Sequence, residues 1–405
     1  MGFKYKITMA WLICLSLFAC REDDPAVFNP EDELGFKSWS EVFESYWNGM
    51  NYSYAFWDID STDWDQVYRE YKPRFEGLEF KNAEDSLKVK ELFEEIVGNL
   101  IDHHYGLTLF DENGNTWFDV RPGLLEIQKR DYYHKRLSIS DYEAMIKHNV
   151  EIGRLTKGAI YWNESDSLLV CSCCIDNSIA YLRLSSFSLI EHLGEKELQA
   201  TMENYYDLIN NLEGLKGIII DTRCNGGGYL NDLYYILNPL IKEKFTFGYS
   251  RSKNGMGRLD YTPWSPMTLY PIELDEEDED QGSWITRDLK DIPIVSLVDI
   301  FSISMGEVTA MAISEMPNGY VVGERTFGAH GPLDADFNSS YTGTFSNSAF
   351  SVKTSTSMTK RLDGKSYEGI GIIPDVEALY NEAEFKKGND TQLEVAVQLI
   401  NSLVR

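Results

Sequence analysis

Residues Gly217–Gly228 read GIIIDTRCNGGG: a short isoleucine run, a charged turn and three consecutive glycines. A β-branched run closed by Asp and Gly reads as a buried strand. The glycines after it admit positive φ and let a carbonyl group come close to exposed backbone N–H donors, as an oxyanion hole requires. The same turn would suit a phosphate, but neither a GxGxxG nor a GK[ST] pattern accompanies it. It reads equally as a plain loop until its surroundings are considered.

Working outward, a second apolar strand, Ile294–Val298, leads into Phe301-Ser302-Ile303-Ser304-Met305-Gly306-Glu307 and then a helical stretch, Met305–Met316. A serine at a strand-to-helix junction is most often an N-cap, yet it also stands beside positive helix-end N–H groups that suit a nucleophile facing a developing oxyanion. Gly106–Phe110, Leu168–Cys174 and Ala180–Leu184 read as further strands, and Lys196–Leu212 as a helix. The alternation predicts a mixed α/β fold, a mixed sheet flanked by helices. Before it, residues 36 to 102 carry helical spacing, with Trp39, Phe43, Tyr46 and Trp47 on one face and Val89, Leu92, Phe93, Ile96 and Leu100 on another. These faces should pack together as ordinary core. Asp63 with Gln66 is a helix start signal and Pro73 a stop. The expected organisation is a signal peptide over 1–20, a helical domain over 21–110, a connecting region over 111–160 and a catalytic α/β domain over 161–405.

The chain has 405 residues, 43% hydrophobic, and a formal net charge of −28. That is enough apolar material for a sizeable core, and a charge that repels nucleic-acid backbones. Glu273–Asp280 (ELDEEDED) supplies part of it and reads as a solvated loop. Met1–Cys20 has early lysines, a short apolar run and Ala19 before Cys20, the pattern of an export signal. The run is too short for a stable transmembrane helix. Leu17-Phe18-Ala19-Cys20 resembles a bacterial lipobox, with Phe18 bulkier than usual there, so the expectation is a lipid anchor on Cys20 and a place in the cell envelope at the outer membrane. Arg21-Glu22-Asp23-Asp24 is similar to the acidic stretch after the lipidated cysteine in surface lipoproteins of Bacteroidetes. Cys171, Cys173 and Cys174 invite a metal reading, but no second Cys/His cluster accompanies them. Buried strand thiols are the expectation, with a disulfide to Cys224 left open, and neither a metal nor another cofactor is expected.

Taken in order, IDTRCNGGG, SISMGE, Val322–Gly328 (VGERTFG), Gly369–Asp375 (GIGIIPD) and Asp390–Glu394 resemble the motifs of the S41 peptidase family, which includes the C-terminal processing proteases and the tricorn protease. The resemblance spans roughly residues 160 to 405. It implies Ser304 as nucleophile, three residues before Glu307, with Ser302 as the competing serine. The processing proteases place a general-base lysine just after TFG, and that slot here is Ala329; Lys353, Lys360 and Lys365 lie outside the motif. The tricorn-like branch resembles a Ser-His-Glu system instead. Asp102-His103-His104-Tyr105-Gly106 is similar to a D-G-H-T stretch of Bacteroidetes members, which implies His104 as the base, with His330 second. Glu368 is similar to the acidic residue that orients the imidazole in that branch. On local pattern alone, His104 is equally a helix-end histidine and Glu368 an exposed loop acid. The backbone N–H groups of Gly227 and Met305, with Gly226 beside them, are the expected oxyanion donors. No stretch resembling the PDZ module of the processing proteases is evident. Tyr229 and Trp264 are candidate apolar subsites, and core packing explains them as readily. The resemblance thus implies a serine peptidase acting on peptides or proteins outside the cytoplasm. The alternatives are a silent peptide-binding lipoprotein, which Ala329 motivates, and a hydrolase of non-peptide esters.

Overall fold

The computed structural model describes residues 35–80, 82–111, 113–272, 285–333 and 343–404. Cys20 with its leader, and the acidic run Glu273–Asp280, lie outside them. The fold is a mixed α/β arrangement built on a seven-stranded sheet, whose strands lie in the spatial order Val376–Glu377, Gly319–Gly323, Ile294–Val298, Gly217–Asp221, Ile179–Leu184, Leu168–Ile175 and Leu155–Asn163. The first five are mutually parallel, Leu168–Ile175 runs antiparallel to them, and Leu155–Asn163 is antiparallel to Leu168–Ile175. Strands buried on both faces read as continuous apolar runs, which is why GIII and IVSLV carry no alternation.

One face of this sheet is covered by helices Lys196–Asn211, Leu230–Leu237 and Met305–Glu315, packed through Leu198, Tyr205, Leu233, Ile236 and Val308. The other is covered by Ile139–Glu151 and Thr391–Leu403, through Tyr142, Ile146, Val397 and Ile400. The CSCC cluster lies on strand Leu168–Ile175, and Cys171, Cys173, Cys174 and Cys224 are all buried, unpaired thiols. The disulfide left open by the sequence is therefore absent among the described residues.

The helices Trp39–Ser53, Trp64–Phe75 and Ala83–Val97 pack on each other as their apolar spacing predicts, with the Tyr46 ring edge-on to Phe93 at 5.2 Å. Asp63 caps the second of them, its Oδ1 accepting from Gln66 N at 2.9 Å. Pro73 does not stop that helix, which runs on to Phe75; the break comes at Glu76. These helices do not close a core alone. They rest on an antiparallel sheet of Phe345–Ser346, Phe350–Lys353, Gly106–Phe110 and Thr116–Val120, so Phe350 and Val352 from the far end of the chain complete their core. The register pairs Gly106 with Lys353 and Leu107 with Val352. This pairing ties the segment just before Gly106, which contains His104, to the C-terminal half.

Candidate active site

Ser304 begins helix Met305–Glu315 directly after the strand Ile294–Val298 and its connecting turn. Its backbone stands at φ +58°, ψ −119°, a conformation costly for any residue with a Cβ, and such strain clusters at functional sites. Ser304 N donates to Ala329 O at 3.1 Å. Gly227 packs directly on it: a methyl group at Gly227, which has φ +95°, would sit 2.5 Å from Ser304 Cβ and 2.9 Å from Oγ. Only glycine permits this approach. Of the expected oxyanion donors, Met305 N–H and Gly226 N–H have no acceptor among the described residues, whereas Gly227 N–H donates to Asn225 Oδ1 at 2.7 Å. Gly227 can serve an oxyanion only by leaving Asn225.

All the loops meeting here leave the carboxyl edge of the parallel strands, where open α/β sheets place their ligands. Glu307, fully buried in the first turn of the Ser304 helix, accepts from Thr326 Oγ1 at 2.5 Å and from Gly328 N and Ala329 N at 2.7 Å each. It thereby fixes the TFG turn against the serine. Asp221 binds Arg223 through Oδ2–Nη2 at 2.7 Å, and Arg223 also binds Asp390 at 2.8 Å, so the glycine loop is anchored to the N-cap of the last helix. The competing Ser302 is buried, and its Oγ donates to Thr222 O at 2.8 Å. That hydroxyl is committed to the loop.

His104 and Glu368 come together as the resemblance implies. With Asp102 they form a group whose imidazole nitrogen and carboxylate oxygens lie within 4.8 Å of one another. Glu368 is buried, not a loop acid in solvent; Oε1 accepts from His103 N at 3.1 Å, and Oε2 from His330 N and Gly331 N at 2.8 Å each. Burial and the nearby Asp102 push its carboxyl up, and the His103 and His330 N–H donors oppose the shift. Asp102 accepts from Ser355 N, Ser355 Oγ, Thr354 Oγ1 and His104 N at 2.7, 2.9, 2.8 and 2.9 Å. Carboxylates so occupied by donors suit holding an imidazole better than gripping a cation. The His104 ring is pulled down to about 3, by desolvation first and then by Lys353 and His330, so it is neutral across the physiological range. Among the described residues its buried Nδ1 has no hydrogen-bond partner, and no hydrogen bond joins the ring to Ser304 Oγ. Ser304 and Glu368 are joined through one turn, since Ala329 O accepts from Ser304 N while Gly331 N, two residues on, donates to Glu368.

The other titratable groups separate cleanly. His103 turns away, its Nδ1 2.9 Å from Phe327 O. His330 is buried beside Glu307, Nε2 to Oε1 3.6 Å, and desolvation holds its ring below the usual value. Lys360 lies over the Trp264 ring at 4.1 Å, which occupies both. Tyr229 is 47% exposed next to the glycine loop, its hydroxyl donating to Glu191 at 2.8 Å. Residues missed by sequence reasoning are Asp102, beside the named histidines, and a strap over 128–138 that crosses the loops. Arg130 donates to Arg325 O, Thr326 O and Phe327 O at 2.6, 2.9 and 3.4 Å, His134 Nε2 contacts Glu324 Oε2 at 3.0 Å, and Arg136 donates to Cys224 O at 2.6 Å. Arg, His and Arg within seven residues were the available signal, but only the fold reveals that they reach two motifs, VGERTFG and the glycine loop.

The profile of "Peptidase family S41" matches residues 178–378. A carboxy-terminal-processing protease of Bartonella bacilliformis is 24% identical over 54% of this chain and 43% of its own, and the carboxy-terminal processing protease CtpB of Bacillus subtilis is 25% identical over 38% and 25%. The chain thus spans less than half the length of these curated relatives. Among solved structures, a peptidase from Parabacteroides merdae superposes with a TM-score of 0.62 at 22% identity, covering 90% of this chain and 97% of that one. Mature CPAF superposes with 0.55 at 11%, covering 90% and 98%. Loops at one sheet edge, motif order, profile and fold agree, and through residues 178–378 the chain belongs to peptidase family S41.

Proposed function

We propose that this chain is a serine peptidase in which Ser304 attacks, His104 moves the proton and Glu368 orients the imidazole. The observation that carries the reading is the strained Ser304, packed under Gly227 and joined through the Ala329–Gly331 turn to buried Glu368, beside which lies the half-buried His104 imidazole. Ser304 Oγ adds to the carbonyl carbon of a peptide bond as its proton passes to neutral His104. The oxyanion that forms faces Met305 N–H and the glycine-loop N–H groups. His104 returns the proton to the leaving amine, giving an acyl-enzyme, and then activates a water to release the acid. The ring must close on Ser304 Oγ when substrate binds, since catalytic hydrogen bonds are commonly long in an unliganded site.

A second reading, a silent peptide-binding protein, is favoured by the Gly227–Asn225 bond and by Ala329 in the lysine slot. A fluorophosphonate probe distinguishes them. Labelling that maps to Ser304 and vanishes in Ser304→Ala supports the peptidase, and labelling equal in both proteins removes the assignment. The proposal extends to location, with export, acylation of Cys20 and exposure at the outer membrane. A mature N-terminus without the mass of a lipid on Cys20 would exclude the anchor.

A further inference from the structure

Beside the glycine loop lies a cavity of about 540 Å³, lined by Gly226–Gly228 together with Arg136, Tyr142, Arg183, Ser185 and Ser186. It adjoins the reacting centre through Gly227, whose other side packs on Ser304. Two guanidinium groups face it. Arg136 is exposed and held by a single bond, Nη2 to Cys224 O at 2.6 Å, and no carboxylate lies within ion-pair distance of it among the described residues. A methyl group at Gly226 would lie 3.6 Å from that Nη2, so the cation stands against the loop of expected oxyanion donors. Arg183 is 1% exposed and stacked on Tyr142, 3.3 Å from guanidinium carbon to ring centroid. Its Nη1 lies 3.1 Å from Asp221 Oδ1 as an ion pair and Nη2 donates to Arg223 O, but among the described residues neither Nη1 nor the buried Nε–H makes a hydrogen bond.

A buried donor without an acceptor is costly, and in a solvent-accessible pocket a ligand can supply the missing oxygen. The remaining lining points the same way. Ser138 and Ile139, the start of helix Ile139–Glu151, contribute the positive end of a helix dipole, although Asp141 already accepts from Ser138 N there. The one carboxylate in the lining, Asp166, lies 3.2 Å from His192 Nε2. Asp221 offsets Arg183, so Arg136 is the guanidinium of this lining that no carboxylate pairs with among the described residues.

We propose that this cavity is the subsite for a substrate residue next to the bond attacked by Ser304, and that it takes an acidic side chain, Asp or Glu, on Arg136 with the Arg183 Nε–H behind. The proposal rests on Ser304 being the reacting centre. A guanidinium fork matches a carboxylate in shape and charge, which glutamine cannot replace. The overall negative field slows the approach of such peptides, so their association should quicken with added salt until screening weakens the Arg136 contact itself.

The test uses the Ser304→Ala protein, which binds without turnover, and fluorescent peptides blocked at both ends that differ only by Glu or Gln, scanned across the central positions. At one position Glu should bind about tenfold tighter than Gln, and that ratio should fall below about twofold in Arg136→Gln while Arg136→Lys retains part of it. Equal affinities at every position, an advantage that survives in Arg136→Gln, or no binding of either peptide overturns the subsite. Peptides with a free carboxyl terminus are run beside the blocked set, and an advantage that follows the chain end instead of Glu overturns the side-chain assignment. Fluorophosphonate labelling of the parent separates the two claims. Labelling without Glu preference sinks only the subsite, and Glu preference without labelling keeps the subsite on a protein that does not turn over.

Discussion

Ser304 holds a conformation that its side chain resists, and the contacts that impose it are Ala329 O on its N–H and Gly227 against its Cβ. Relief of that strain should be measurable. Ser304→Gly loses the hydroxyl yet should melt above Ser304→Ala by about 1–3 °C, since glycine removes a penalty of about 1 kcal/mol that alanine keeps; calorimetry showing the reverse order would mean that the serine is unstrained. His104 carries the second prediction at this scale. An imidazole held near 3 stays neutral, and so able to accept a proton, well below the usual histidine range. The kcat/KM profile should therefore show no acid limb between pH 6 and 7, and a limb there would show that His104 titrates normally. The motif order made Ser304 legible in the sequence because its helix start and its spacing to Glu307 are local. His104 was legible only through resemblance. Nothing in DHHYG distinguishes its two imidazoles, and the choice is made by Phe327 O, which takes the His103 ring from more than two hundred residues away.

The elements that build the site are loops at one edge of a parallel sheet, and the strap over 128–138 is the piece that joins them. Strands and helices of the C-terminal half follow their apolar runs closely, because continuous hydrophobic stretches leave little choice of element. The strap has no such run, so the sequence showed only a connecting region. Its middle fastening titrates. Burial works against the charge of His134, but the hydrogen bond and attraction of Glu324 outweigh it and hold the ring above its ordinary value. A raised folded-state value means the stabilisation is fully present below about pH 6.5, the unfolded value, and is lost as pH rises through the folded one. Parent and His134→Gln should therefore differ by about 1–3 °C in Tm at pH 5.5 and converge by pH 9. A gap that widens toward alkaline pH would remove the ion pair from the account.

At the scale of the whole molecule, the N-terminal helices and the C-terminal half are interlocked. Strand Phe350–Lys353 leaves the C-terminal half to pair with Gly106–Phe110, and Phe350 enters the aromatic core beneath Tyr46 at 6.1 Å between ring centroids. Helical spacing disclosed those N-terminal faces, but not that their cover comes from Phe350 and Val352 in the C-terminal half, since pairing between distant strands leaves no periodic trace. This interlock brings His104 to the side of the sheet where Ser304 stands. The most direct test is the second-order rate constant for fluorophosphonate labelling of Ser304 in the parent and in His104→Ala, both checked for equal melting. The expected result is a loss of about a hundredfold or more, the contribution of a positioned general base. An unchanged rate at Ser304 would show that the imidazole does not activate the hydroxyl.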